Sequence, residues 1–471
     1  MGGEVSKKQF SAKDHERFQQ RLGLEMDFVR KLFGEKRFDR ETRRLGYELE
    51  LCLLEPGGLP APVNQQVLDF ANNDLFTHEL AKYNLEINGN TFDLNDRVFS
   101  AIENDLTTLY ASLEQAAANS GAKVGLFGVL PSLGQDHLDG DRFMSGQRRY
   151  RVLDRCLMEM RQRPVQLDIR GNDHLQMEKN DVMFEALGTS LQTHMQIPFD
   201  EAVNSYHAAL WASMAVVAVS ANSPLVLNKR CWHESRIAIF KQAVDTRNTQ
   251  EVNDEIIPRV HFGKGYIQSM LDLFEDNSYY SPILPEVRET EIEALFHFNL
   301  HNGTIWRWIR PIIGRIGDTH HLRLELRVTP SGPTLIDTVA NLVFYVGLIE
   351  GLKTTPDVLT RIPFEQLEKD FYRVAREGLA ARVRWCEGDI DSIQNLLLNY
   401  AIPTAARGLN HLGIIDSGKW LDIIQQRVVS GQTGADWILQ YWQQSQDVCA
   451  LVCSYIQNAE QNIPVHLWPR P

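Results

Sequence analysis

The chain has 471 residues with 48 basic and 61 acidic side chains, and its formal net charge of −13 excludes the basic footprint needed to bind nucleic acid or an anionic membrane. Its length admits roughly three domains of about 150 residues, yet the pattern reads as one continuous body. That body comprises an N-terminal helical extension over 1–40, a sheet domain over 41–350 and a helical region over 351–471 packed on it.

Met1 to Arg21 is polar and lacks the apolar core of a signal peptide, which points to a cytoplasmic protein. Residues 11 to 38 read as a charged helix whose apolar stripe is Phe18, Leu22, Met26, Val29, Leu32 and Phe33. Core packing is the default role for that stripe; joining subunits into a homo-oligomer or docking a partner stays open. Gly46-Tyr47-Glu48-Leu49-Glu50 is a strand with both glutamates on one face, because side chains two apart share a side. Glu79 follows Thr77 and His78 and reads equally as a ligand, a helix cap or a solvated side chain. Tyr83 to Asn88 is a second strand, with Glu86 and Asn88 sharing a face. A helix over 98 to 120 and a strand from Lys123 to Leu130 come next. Pro131 to Arg170 is loop-rich and basic at Arg142, Arg148, Arg149, Arg151, Arg155, Arg161 and Arg163. Substrate loops often have this composition, and a solvated basic loop has it too.

Gly188 to Gln196 is a strand with His194 and Gln196 on one face. A lone histidine there is either a hydrogen-bonded core residue or a ligand, and Gln196 either contacts substrate or makes a structural hydrogen bond. Ala208 to Ala221 is apolar, too short to cross a bilayer and closed by Asn222-Ser223-Pro224, which predicts a buried helix. Trp306 to Pro311 and Arg323 to Arg327 are strands; Arg323, Glu325 and Arg327 share a face. The adjacent His320 and His321 face opposite ways and do not form a joint ligand pair. A helix begins near Thr334, and Asp436 to Gln457 reads as one helix on which Cys449 and Cys453 are packing residues. Together with Cys52, Cys156, Cys231 and Cys386 they form no C-x-x-C pair, which implies reduced thiols and no disulfide framework. Ile463 to Pro471 is a Pro-rich terminus.

Charged residues thus repeat on one face of several strands. Such a face packs poorly, since an unpaired buried carboxylate costs several kcal/mol or shifts its pKa. For any single pair a solvated edge is the ordinary explanation; the joint occurrence points to bound cations. Four glutamates with one neutral histidine suit magnesium or manganese better than zinc, since these ions take hard oxygen ligands and leave positions open for phosphate. An arginine fork is preorganised for two oxygens at once, which marks Arg310 and Arg327 for phosphate or a substrate carboxylate.

These motifs, in this order, resemble the family-two glutamate–cysteine ligases and related carboxylate–amine ligases. The matching features are the G-x-E-x-E strand at Gly46, Glu48 and Glu50, the Glu79 to Asn88 element, the histidine strand, the Trp306 to Pro311 strand and the E-x-R strand at Glu325 and Arg327. Arg376 to Ala381, Ala405 to Gly413 and Gly431 to Asp436 look like that family's C-terminal helices, so the likeness covers Leu45 to Trp442. The resemblance implies an α+β fold with a curved, mainly antiparallel sheet of glutamine synthetase type, helices on its outer face and a helical C-terminal region. It also implies ATP and Mg2+ or Mn2+ as cofactors. Position by position it makes Glu48, Glu50, Glu79, Glu86, His194 and Glu325 the metal ligands, and Arg327, then Arg310, the catalytic phosphate contacts. Asn88, Gln196, Arg149 and Tyr150 become substrate or nucleotide contacts, Arg149 and Tyr150 through an R-Y element, and the Gln162 to Asp181 insertion becomes a site of acceptor specificity.

The implied reaction is ATP-dependent formation of a γ-glutamyl amide through an acyl phosphate, glutamate with cysteine being the first pair to test. The partners are small-molecule amino acids and amines. No G-x-x-x-x-G-K-[ST] loop, H-E-x-x-H helix, G-x-S-x-G elbow or EF-hand loop is present. A ligase for another amine, a nucleotide-binding regulatory homologue without turnover, and a metal-dependent amide hydrolase are the alternatives.

Overall fold

The computed structural model describes residues 4–385 and 389–471, so Cys386 lies outside the described residues. Its centre is an eight-stranded sheet. The main path runs Ile309–Ile316, Thr319–Pro330, Ser190–Ile197, Arg44–Leu54, Asn84–Asn88 and Phe76–His78. Phe92–Asp93 and Lys123–Gly125 pair with the two ends of the Arg44–Leu54 strand, and every pairing in the sheet is antiparallel. Along Arg44–Leu54 the odd-numbered apolar residues are buried and the even-numbered ones half-buried up to Glu50, so period two separates a core face from a polar face.

The core face rests on two apolar helices, Ala202–Ser220 and Leu335–Leu352. By length and composition the Phe199–Ser220 and Leu335–Leu352 segments suit a bilayer, but 89% of each apolar window is buried inside the protein. The second helix starts where Thr334 accepts a hydrogen bond from the Asp337 amide. It crosses the Ile402–His411 helix at glycine contacts: a Cβ on Gly408 would lie 2.2 Å from the Gly347 carbonyl oxygen. The expected N-terminal helix spans Ala12–Gly34, with Ser11 and Asp14 forming a capping box. Its buried Glu25 accepts from the His297 ring at 2.6 Å and from the Phe298 amide at 2.7 Å, which fixes it to the Phe296–Asn302 helix.

Three expectations about local structure need correction. The basic stretch read as loop contains the Arg148–Arg161 helix; Tyr150, Val152 and Leu157 are buried on it while most of its arginines point outward, so the arginines mask its amphipathic pattern. The single helix expected over Asp436 to Gln457 is two, Gly434–Gln444 and Val448–Ala459. Asp447 breaks it by accepting from the Cys449 and Ala450 amides as an N-cap. The strand expected from Lys123 to Leu130 ends at Gly125. Within the Gln162 to Asp181 insertion, Val165–Arg170 and His174–Lys179 pair as a hairpin.

Candidate functional site

Strand register assembles the polar face. Glu50 stands opposite Glu86 and Glu48 opposite Asn88 on one side of the Arg44–Leu54 strand. On its other side Glu48 stands opposite Gln192 and Gly46 opposite His194. His194 is in turn opposite Glu325, and Glu325 is opposite Arg310. Cross-strand neighbours on one face approach closely, so residues far apart in sequence converge without any long-range loop.

The six carboxylate and imidazole candidates fall into two groups. Glu48, His194 and Glu325 form one, and Glu50, Glu79 and Glu86 the other; in each, one ligand atom per residue lies within 4.8 Å of the others. In the first group His194 Nε2 is 3.1 Å from Glu48 Oε1 and 3.8 Å from Glu325 Oε1. Glu325, 2% exposed, is clasped by Arg310 through Nη2 at 2.7 Å and Nε at 2.6 Å, and by Arg327 Nη1 at 3.1 Å. In the second group Glu50 accepts from the Ser190 amide at 2.6 Å and from Gln192 at 3.0 Å. Glu86 accepts from Thr77 at 3.1 Å and Asn88 at 3.0 Å. Glu79 sits in the connection between Phe76–His78 and Asn84–Asn88, not at a helix start.

The groups differ electrostatically. Burial would raise Glu325, but Arg310, Arg327 and His194 outweigh it and hold the carboxyl well below its ordinary range. Burial likewise opposes Glu48, whose hydrogen bond and proximity to His194 keep it low. In the other group burial dominates. It pushes Glu50 up against the pull of Arg327 and Arg236, and raises Glu79 strongly with help from Glu86 and Glu50. Glu86 is pushed up to about 7 by burial and by Glu48 and Glu50. Buried carboxylates short of positive charge, all with oxygen donors, fit a hard divalent cation.

The face opens into a cavity of about 620 Å3. Glu48, Glu50, Glu79, Glu86, Asn88, Arg149, Tyr150, Arg310 and Arg327 line it. His194 and Glu325 are not in the lining, but they contact Glu48, Arg310 and Arg327, which are. Gln196 shares the strand face but stands at the register of Arg44 and Arg323, outside the lining, so the structure does not bring it to the cavity. Arg149 Nη2 donates to the His78 carbonyl at 3.1 Å and to the Tyr150 hydroxyl at 2.7 Å, and its guanidinium lies 4.7 Å from the Tyr150 ring centre.

Several residues of the wall escaped the sequence reading, Gln192 and Glu185 among them. Gln192 accepts from Arg327 and donates to Glu50, and parity two before His194 was the available signal. Glu185 is pushed to about 8 by burial and by Glu50, and nothing in its local sequence marks it.

A model of the glutamate-cysteine ligase family 2 (GCS2) matches residues 44–454. A search of curated proteins finds no significant match. Among solved structures, a glutamate–cysteine ligase from Francisella tularensis in complex with AMP superposes with a TM-score of 0.56 at 10% identity, covering 92% of this chain and 91% of that one. A bifunctional glutathione synthetase from Pasteurella multocida is matched at 11% identity and a TM-score of 0.47, over 95% of this chain and 55% of that one. The first of these likenesses carries the fold: a curled antiparallel sheet of glutamine synthetase type with a helical C-terminal region.

Proposed function

The chain belongs to glutamate-cysteine ligase family 2 and is an ATP-dependent carbon–nitrogen ligase; on that premise we propose that it forms a γ-glutamyl amide, with glutamate as the acid and cysteine as the first acceptor. One observation carries the reading: two carboxylate groups of metal-ligand spacing gather at one sheet face, with Glu48, Glu50, Glu79, Glu86, Arg310 and Arg327 in the wall of one cavity.

In this reading a γ-carboxylate oxygen attacks the γ-phosphorus of ATP, the bond to the β–γ bridging oxygen breaks, and ADP leaves. The amine nitrogen then attacks the acyl carbon, inorganic phosphate departs, and the nitrogen loses a proton. Such chemistry asks for positioning and charge neutralisation, not a protein nucleophile. Arg327 and Arg310 meet phosphate oxygens, and Glu50, Glu79 and Glu86, with Glu48, His194 and Glu325, hold magnesium or manganese. Either ion, when bound, supplies charge neutralisation at the phosphates. Arg149 and Tyr150 orient an anionic substrate at the rim.

A second reading is favoured by the apolar part of the cavity, formed by Leu153, Leu157, Val244, Leu284, Leu300 and Trp306. A cysteine side chain covers little of it, so an amine with a larger apolar group is the next acceptor class. ADP release with ATP, magnesium, glutamate and a panel of single amines, followed by mass analysis of products, tests both. Acceptor-dependent ADP with a new amide mass identifies the acceptor; ADP release that no amine alters, with no amide mass, counts against ligation of glutamate.

A further inference from the structure

One wall of the cavity is not supplied by the sheet. Leu284, Glu286, Arg288, Thr290, Asn299 and Leu300 contribute it from one stretch of chain, faced by Glu4 and Val5. Those two residues precede the family-matched segment, 44–454. Hydrogen bonds hold the segment from Glu4 to Lys8 in place. Val5 is 5% exposed. Arg148 donates to the Val5 and Ser6 carbonyls at 3.3 and 2.9 Å, Arg155 to the Lys8 carbonyl at 2.9 Å, and Arg288 to the Glu4 carbonyl at 3.4 Å.

The same segment reaches Glu286. The Ser6 amide donates to Glu286 Oε2 at 3.2 Å, and the side chain is 4% exposed. Among the described residues no basic group comes within 4.0 Å of it. A buried carboxylate without a counter-charge is costly until a cation reaches it. Further along the same stretch, Thr290 Oγ1 and Asn299 Oδ1 are buried without a partner. The amide oxygen is an acceptor in want of a donor, the hydroxyl can accept as well, and Glu286 beside them carries the negative charge. A primary ammonium group brings positive charge and three N–H donors.

We propose that this wall binds the ammonium group of an amino-bearing substrate, with Glu286 contacting it and the Ser6 amide positioning Glu286. The proposal rests on the ligase reading and deepens it. The ammonium belongs either to the amino acid that is activated or to the acceptor, and the test separates the two.

Calorimetric binding to the full chain compares glutamate with glutarate, and cysteine with 3-mercaptopropionate, each pair differing in the amino group alone. One charge-assisted contact makes the amino-bearing member bind about tenfold or more tightly in one of the two pairs. Glu286→Gln abolishes that preference, Glu286→Asp retains part of it, and Ser6→Pro, which removes the donor but keeps the carboxylate, weakens it less. In turnover, Glu286→Gln raises the KM of the same substrate about tenfold with the KM for ATP unchanged. A loss in the glutamate arm names the acid as the source, and a loss in the cysteine arm names the acceptor. Equal binding within both pairs by the wild type overturns the proposal, as does a folded Glu286→Gln protein that keeps the preference. A wild type that shows the preference yet releases no ADP with any acid–amine pair leaves the ammonium site standing and removes the ligase reading.

Discussion

Replacing Glu86 with glutamine separates the cost of crowding carboxylates from their use. Glu86 faces Glu50 across the strand pair, and burial with Glu48 and Glu50 moves its pKa from 4.5 to about 7. Between those values the folded protein holds a proton that the unfolded chain has lost. The stability this contributes is complete below 4.5 and is lost as the pH rises through about 7. At pH 8 the folded carboxylate is ionised at a penalty of about 3 kcal/mol, taking about 1.4 kcal/mol per pKa unit. Glutamine removes the charge and keeps the oxygen that accepts from Thr77 and Asn88. A chain of 471 residues loses about 1 kcal/mol of stability per degree at its midpoint, from roughly 2 cal/mol/K per residue. The expected result in chelator is therefore a melting temperature about 3 °C above wild type at pH 8, shrinking to under about 1 °C by pH 5. The same variant loses most of the stabilisation given by magnesium, and turnover falls by orders of magnitude. Thermal melts across pH 5 to 8, with and without the ion, measure both. A chelated variant that melts below wild type at pH 8 would falsify the idea that Glu86 sits in a field of uncompensated negative charge.

Glu325→Gln carries the opposite sign. It leaves the Arg310 and Arg327 guanidiniums facing a neutral amide in a buried site, a loss of about 3 kcal/mol, so the chelated protein melts about 3 °C lower while turnover again collapses. An unshifted melting curve, or full activity, refutes the role given to this carboxylate. Arg149→Ala raises the KM of one substrate severalfold with little change in kcat, read from initial rates against each substrate in turn. If every KM is unmoved, Arg149 has a structural role, holding the His78 carbonyl and Tyr150 among its contacts.

The sheet face was legible because period two is a local rule: it pairs Glu48 with Glu50, and Glu325 with Arg327, before any fold is known. Register was not legible. That His194 stands between Gly46 and Glu325 depends on the order and offset of strands separated by more than a hundred residues, and that Glu50 rather than Glu48 joins Glu79 and Glu86 depends on the offset of a nearer pair. Gln196 shows the limit of parity, since it shares His194's face yet lies one step too far along the strand to reach the cavity. The Arg148–Arg161 helix was hidden for a different reason: its arginines bind the N-terminal segment's carbonyls, a tertiary use that mimics a solvated loop in composition. Glu286 gives no local sign at all, because its neighbour Ser6 is 280 residues away.

The two carboxylate groups are not equivalent hosts, and the difference predicts an order of filling. Glu48, His194 and Glu325 already have their countercharge, with Arg310 and Arg327 at 2.6 to 3.1 Å from Glu325. A divalent ion entering there competes with two guanidiniums. Glu50, Glu79 and Glu86 have weaker help, Arg327 and Arg236 acting chiefly on Glu50, and burial raises all three above the ordinary carboxylate range. An ion entering there competes with protonation of Glu86, so its affinity is expected to fall as the pH drops below about 7. The same arginines that block the first group are the ones suited to phosphate oxygens. On the proposed reading, nucleotide binding is expected to draw them from Glu325 and open it. Manganese titration followed by electron paramagnetic resonance is expected to show one tight ion per chain without nucleotide, and at least one more with a non-hydrolysable ATP analogue. Glu86→Gln removes the first ion, and Glu325→Gln removes a later one. Two equally tight ions in the absence of nucleotide would mean that the arginine clasp on Glu325 is no barrier, and the order of filling would have to be given up.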